Sequence, residues 1–263
     1  MIKVSFMGVG SAFSRKNSTS SILVESGSIK MLVDCGTPVI KSIQDFGLSF
    51  KDITHIFVTH LHADHIGGLE FLALECRFHL KHRPKIVSTA SLLKRLWNFS
   101  LKGGLEYVEA TFGDATPQTL NDYFECVSIQ AEEWFRISTE DPIQLFAHAS
   151  DHVLGMESYS LEFSEDPHIK EKTILFTGDT RLDPKLLEHA RDNCQHVLHD
   201  CQLFDSGENN KFGVHTSYQQ LLKLPPEIRQ CLWLYHYGDT PLPDAKNDGF
   251  LGFIEHHQSF TTS

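Results

Sequence analysis

The segment FVTHLHADHIGGLE, residues 57–70, limits what this chain can fold into more than any other stretch. It places His60, His62, Asp64 and His65 within six positions, directly behind the apolar run ITHIFV. β-Branched and aromatic residues run through ITHIFVTH almost without a break, the pattern of a strand buried on both faces. Four strong donors therefore sit at the mouth of a buried strand. In an extended loop His60 and His62, at i and i+2, point the same way. Asp64 and His65 open the following helix and face elsewhere, so one loop offers two pairs of donors to two adjacent points. Neutral imidazole and carboxylate suit zinc, iron or manganese. Gly67 and Gly68 are poor helix formers. At a helix start they imply that backbone approaches something closely.

Strands are expected at IKVSFMG, SILVES, IKMLVDCG, PKIVST, IQLFAHA, SYSLEF, TILFTGDT, HVLHDC and CLWLYHYGD, the last being the final clear strand. SILVES and IKMLVDCG should pair around a turn at residues 27–28. Helices are expected at PVIKSIQDFGL, stopped at Gly47, then from about Asp64 through EFLALECRF, and at ASLLKRLWNFSL, DPKLLEHARD and SYQQLLKLPP. Residues 101–142 read as turns, a short helix around 120–124 and a strand. Strands alternating with helices mean an α/β architecture. No linker or low-complexity segment interrupts residues 1–263, which argues for one domain. Gly8 and Gly10 form a G-x-G, but the rest of a dinucleotide fingerprint is missing, so that loop is a plain connection.

Composition removes several function classes. The formal net charge is −11, from 34 acidic and 23 basic residues. That argues against a broad grip on a polyanion, though not against a small phosphate ester. The six cysteines are scattered singly, as in a reduced cytosolic chain. MIKVSFMGVGSAF lacks the apolar core of a signal peptide. No apolar run approaches the roughly 20 residues of a membrane span. The expected location is cytoplasmic, with no membrane partner.

THLHADH resembles the signature of the metallo-β-lactamase superfamily of metal-dependent hydrolases, and the later segments resemble its ribonuclease Z branch and phosphodiesterase relatives. The resemblance runs from FMGVGSAFSRKNSTSSILVE to YHYGD. It implies a four-layer αββα sandwich with the site at one edge between two sheets. HVLGMESYSLEF is similar to the third motif and selects His152 over His148, which lies within the strand IQLFAHA. ILFTGDTR is similar to the fourth, with Asp179 as the bridging carboxylate, and CLWLYHYGD to the fifth, with His236. The resemblance implies two divalent ions, zinc with manganese or iron as alternatives. His60, His62, His152 and Asp179 would hold one; Asp64, His65, His236 and Asp179 the other. Asp64 would also orient a bridging hydroxide.

HVLHDCQLFD and FGVHTSYQQLL resemble the paired motifs in which an acidic residue, here Asp200, orients a protonated histidine, here His215, over the leaving oxygen. The family usually has Glu at the position of Asp200. The shorter side chain means either that the backbone sits closer or that the histidine is held less firmly. His199 is either close to the site or a packing residue. LLKRLWNFSLKGGLEYVEA could bring aromatic and cationic groups to the mouth, with Leu93, Leu96 and Trp97 assigned to the core. The long arm that grips transfer RNA is missing between SLEF and TILFTGDT. The expected activity is therefore a dinuclear phosphodiesterase acting on a small or cyclic nucleotide; the resemblance also implies a homodimer. The alternatives are a ribonuclease Z-like transfer-RNA 3′-processing endonuclease and an acyl or thioester hydrolase resembling glyoxalase II or a lactonase.

Overall fold

The computed structural model describes residues 1–108, 110–111, 114–203 and 213–263. The tail of HVLHDCQLFD at 204–205, and Phe212 of FGVHTSYQQLL, lie outside the described residues.

The chain begins with an antiparallel meander of β1 (Lys3–Gly8), β2 (Ser21–Ser26) and β3 (Ile29–Val33). The β2–β3 turn puts Gly27 at φ +56°, a left-handed conformation that glycine adopts without a Cβ clash. β4 (His55–Phe57) and β5 (Lys85–Thr89) add in parallel. A small ribbon, β6 (Ala110–Thr111) with β7 (Asp114–Ala115), precedes β8 (Glu125–Ile129), which completes this side of the sheet. The second sheet runs from β9 (Trp134–Arg136) through the antiparallel β10 (Gln144–Ala149), β11 (Tyr159–Ser164) and β12 (Thr173–Phe176). It continues in parallel with β13 (His196–Asp200), β14 (Leu232–Tyr235) and β15 (Gly252–Phe253). β16 (Ser259–Thr261) returns to the first sheet and pairs with β1.

The sheets pack face to face. Phe6 of β1 lies 6.2 Å from the Phe176 ring and 5.3 Å from that of Tyr235, and the latter two stack at 5.0 Å. Offset and edge-on pairs of this kind contribute about 1 kcal/mol beyond their buried area. Helices cover the outer faces. Val39–Asp45 buries Val39 and Ile43, and Ala90–Leu96 buries Leu92, Leu93 and Leu96. Trp97 is partly buried against the same core, as expected. On the other side, Asp183 caps the helix Pro184–Asn193 by accepting from the Lys185 and Leu186 amides. That helix buries Leu187 and Ala190 against Val197, Leu232 and Leu234. The result is the α/β sandwich that the sequence implied.

Two expectations need correction. The helix from Asp64 is broken into Ala63–Ile66 and Leu69–Leu74, because Gly67 and Gly68 let the chain turn between them. A Cβ on Gly68 would sit 2.9 Å from the Cys35 and Gly36 carbonyl oxygens, which is the close approach those glycines imply. Strands also continue past CLWLYHYGD: β15 and β16 have two and three residues, too short to show a period. β9 is similarly short, at three residues.

β3, β4, β10, β12, β13 and β14 all end at the same edge of the sandwich, and each is followed by polar side chains there. The crevice beyond the carboxyl ends of parallel strands is where such sheets bind ligands. β11 passes to β12 through residues 165–172 alone. The six cysteines are free. Among the described residues, no helix is long and apolar enough to cross a membrane.

Candidate metal centre

Three imidazoles converge after β4 and β10. His60 Nε2 and His152 Nε2 lie 3.0 and 3.1 Å from His62 Nδ1. Their hydrogen-bond networks assign the tautomers. Thr59 Oγ1 donates to Asp34 Oδ2 at 2.6 Å, so it accepts from His60 Nδ1 at 3.1 Å. His152 Nδ1 donates to the Val214 carbonyl at 2.6 Å. Both Nε2 atoms therefore carry lone pairs, and they face one point. Burial holds His60 well below the ordinary imidazole range and lowers His62 and His152 as well. Burial thus favours the neutral imidazole, the form that binds metal, at all three.

A second group adjoins the first. His65 Nδ1 donates to Asp34 Oδ2 at 2.7 Å, which aims Nε2 at Asp179 Oδ2, 3.1 Å away, and at Asp64 Oδ2, 3.3 Å away. His236 Nδ1 stands 3.0 Å from Asp179 Oδ1. Asp179 thus lies between the sets, with His60 Nε2 at 4.0 Å from its Oδ2. Burial opposes a charge on Asp179, but His236 and His65 outweigh it and hold the carboxyl well below the usual range. Asp179 Oδ1 is nevertheless a buried oxygen without a hydrogen bond. A buried carboxylate oxygen without a well-formed hydrogen bond, set among converging imidazoles, is the environment of a cation. The donor chemistry fits divalent metal ions.

Asp200 and His215 flank this cluster. His215 Nδ1 donates to Asp200 Oδ2 at 3.0 Å, so the shorter acid does reach its histidine. Burial disfavours the imidazolium, yet the Asp200 charge and hydrogen bond prevail and lift His215 to about 9. The His215 ring stacks on His236 at 4.5 Å. Both line a cavity of about 280 Å³ whose other walls include Phe13, Leu203 and Val214. His148 lies apart, beside Glu162 and His189. His199 is buried with Nδ1 on the Asp200 carbonyl and packs without joining the cluster.

Residues 2–260 match the family described as Anti-Pycsar protein Apyc1. The chain belongs to that family. The Apyc1 protein of Paenibacillus sp. (strain J14) is 30% identical over 262 residues, spanning 99% of both chains. Among solved structures, the metallo-β-lactamase fold protein YhfI of Bacillus subtilis superposes with a TM-score of 0.74 at 16% identity, covering 98% of each chain. The short form of human tRNase Z gives 0.68 at 20% identity, with 99% of each chain covered. The fold of this Apyc1-family chain is therefore the metallo-β-lactamase sandwich that THLHADH indicated.

Sequence reasoning missed Asp34. It sits at the end of β3 with φ +62°, fully buried, and accepts from the Thr59 amide at 2.8 Å, from Thr59 Oγ1 and from His65 Nδ1. One carboxylate thereby sets the tautomer of His65 directly and that of His60 through Thr59. The available signal was an aspartate ending an apolar strand beside Gly36, a strand-end placement shared with Asp179, which the family resemblance had picked out. Asp34→Asn should weaken metal retention by about 10- to 100-fold while the chain stays folded. A competition titration with a chromophoric chelator measures it, and unchanged affinity would remove Asp34 from the site.

Proposed function

We propose that this chain hydrolyses the phosphodiester of a cyclic nucleotide with two divalent ions, zinc before manganese or iron. His60, His62, His152 and Asp179 would hold one ion, and Asp64, His65, His236 and Asp179 the other. The imidazole-rich first set suits zinc. Such ions supply Lewis acidity, offsetting charge on phosphoryl oxygens and making water a stronger acid. The remaining chemistry belongs to side chains. Asp64 orients the attacking water. His215 keeps its Nδ1 proton on Asp200 and presents Nε2–H to the leaving ester oxygen. The cavity beside His215 and His236, walled in part by Phe13, Leu203 and Val214, takes the nucleoside.

The Asp200–His215 pair is the observation that carries this reading. A held imidazolium beside a metal centre serves the expulsion of an alkoxide, which acyl transfer at such a centre does not require. The net charge of −11 and the short 165–172 connection favour a small substrate over transfer RNA. Membership of the family named for an anti-Pycsar protein is consistent with it. We place the protein in the cytoplasm as a homodimer of single-domain chains spanning residues 1–263.

The test is a rate comparison on one preparation across cyclic mononucleotides, precursor transfer RNA, an aryl phosphodiester and a thioester. Cyclic nucleotides should exceed precursor transfer RNA and thioester by at least about 100-fold in kcat/KM, about 2.7 kcal/mol of selective transition-state binding. Fastest turnover of the thioester would replace this proposal with the acyl-hydrolase one.

A further inference from the structure

We infer that His148, Glu162 and His189 form a separate site for a zinc-class divalent ion, on the outer face of the second sheet.

The register builds it. On the β10–β11 pair Phe146 faces Glu162 and His148 faces Ser160, so His148 and Glu162 are diagonal neighbours on one sheet face. His189 comes down onto that face from the helix Pro184–Asn193. His189 Nε2 and His148 Nε2 lie 2.7 and 3.1 Å from the same Glu162 oxygen, Oε1. The three ligand atoms all fall within 4.8 Å of one another. In a tetrahedral zinc site with bonds of about 2.0–2.1 Å, neighbouring ligand atoms stand about 3.3 Å apart. Opening the His189–Glu162 contact by about 0.6 Å and the His148–Glu162 contact by about 0.2 Å therefore admits the ion. None of these residues belongs to the strand-end cluster.

Two observations indicate that the ion-free cluster is incomplete. Glu162 is only 2% exposed, and among the described residues its ion pairs are with these two histidines, with no lysine or arginine in reach. A buried carboxylate needs a cation partner. His148 Nε2 stands 3.1 Å from Oε1 as a buried nitrogen that makes no well-formed hydrogen bond. The supporting contacts are present as well. The Cys194 thiol also hydrogen-bonds to Glu162, and Asn193 Nδ2 approaches His189 Nδ1 at 3.3 Å. Such outer contacts hold ligand orientation. With Nδ1 accepting from Asn193, the His189 proton sits on Nε2 and is released to solvent when metal binds there.

Two histidines and one glutamate leave the fourth position to water. His189 is 44% exposed in its side chain, so an ion can enter from solvent. The bound ion would clamp β10 and β11 to the helix Pro184–Asn193, adding stability without touching the reaction.

The experiment is calorimetric titration of Zn²⁺ into protein purified with its own metal in place, for wild type, His189→Ala and Glu162→Gln. Wild type should take up one more equivalent than either variant, with a Kd near micromolar, and zinc should raise its Tm by several degrees more than that of either variant. His189→Ala, an exposed helix change, should keep wild-type phosphodiesterase rates, which shows that the difference does not arise at the strand-end cluster. Equal zinc uptake by wild type and His189→Ala overturns the inference, as does an equal Tm response. The readout is stoichiometry and melting, so it stands apart from the substrate assay.

Discussion

Asp179→Asn is expected to lower phosphodiester hydrolysis by about a thousandfold or more, with a matching loss of bound metal. The carboxylate touches both halves of the cluster: Oδ2 is 3.1 Å from His65 Nε2 and 4.0 Å from His60 Nε2, and Oδ1 is 3.0 Å from His236 Nδ1. Asparagine keeps the shape and removes the charge. Its NH₂ also donates to imidazole lone pairs that otherwise face a cation, so the ion-free protein gains a hydrogen bond and metal binding loses one ligand. Elemental analysis alongside steady-state rates checks both parts. Full metal content with a rate within tenfold of wild type would deny Asp179 a bridging role.

The second large effect belongs to His215→Ala, which should slow cyclic-nucleotide hydrolysis by about 10²- to 10⁴-fold and leave metal content unchanged. The loss should depend on the leaving group. A nucleoside alkoxide is a strong base and needs the proton that His215, lifted to about 9 by Asp200 against the opposing effect of burial, can supply at neutral pH. An aryl oxide leaves with little help. The variant should therefore retain much more of its rate on an aryl phosphodiester than on a cyclic nucleotide. Equal losses on the two substrates would mean that His215 positions substrate and transfers no proton to it.

The readable parts of this site are those that local chain geometry brings together. His60, His62, Asp64 and His65 lie in one loop, so their spacing alone suggests two donor pairs; His60 Nε2 lies 3.0 Å from His62 Nδ1 and His65 Nε2 3.3 Å from Asp64 Oδ2. Asp179 and His236 were picked out by the resemblance of ILFTGDTR and CLWLYHYGD to the family's fourth and fifth motifs, each residue standing at the end of an apolar strand. What the sequence could not show is convergence across the sandwich. His65 and Asp34 are 31 positions apart, and their contact depends on how β3 pairs with β4. His148 and His152 differ only in that one falls within β10 and the other in the loop beyond it. A shift of four residues thus sends one imidazole to the outer helix and the other to the strand-end edge. The short strands β9, β15 and β16 stayed hidden because two or three residues carry no alternation.

Asp34 and His236 both occupy left-handed backbone, at φ +62° and +68°. Aspartate and histidine tolerate that region better than most residues, but it still costs about 1–2 kcal/mol relative to an ordinary conformation. Glycine would relieve the cost at either position and abolish the side chain's contacts. The two strand ends are thus places where greater thermal resistance and turnover select opposite residues. A search for hardier variants that ranked substitutions by backbone comfort alone would choose the changes that silence the enzyme.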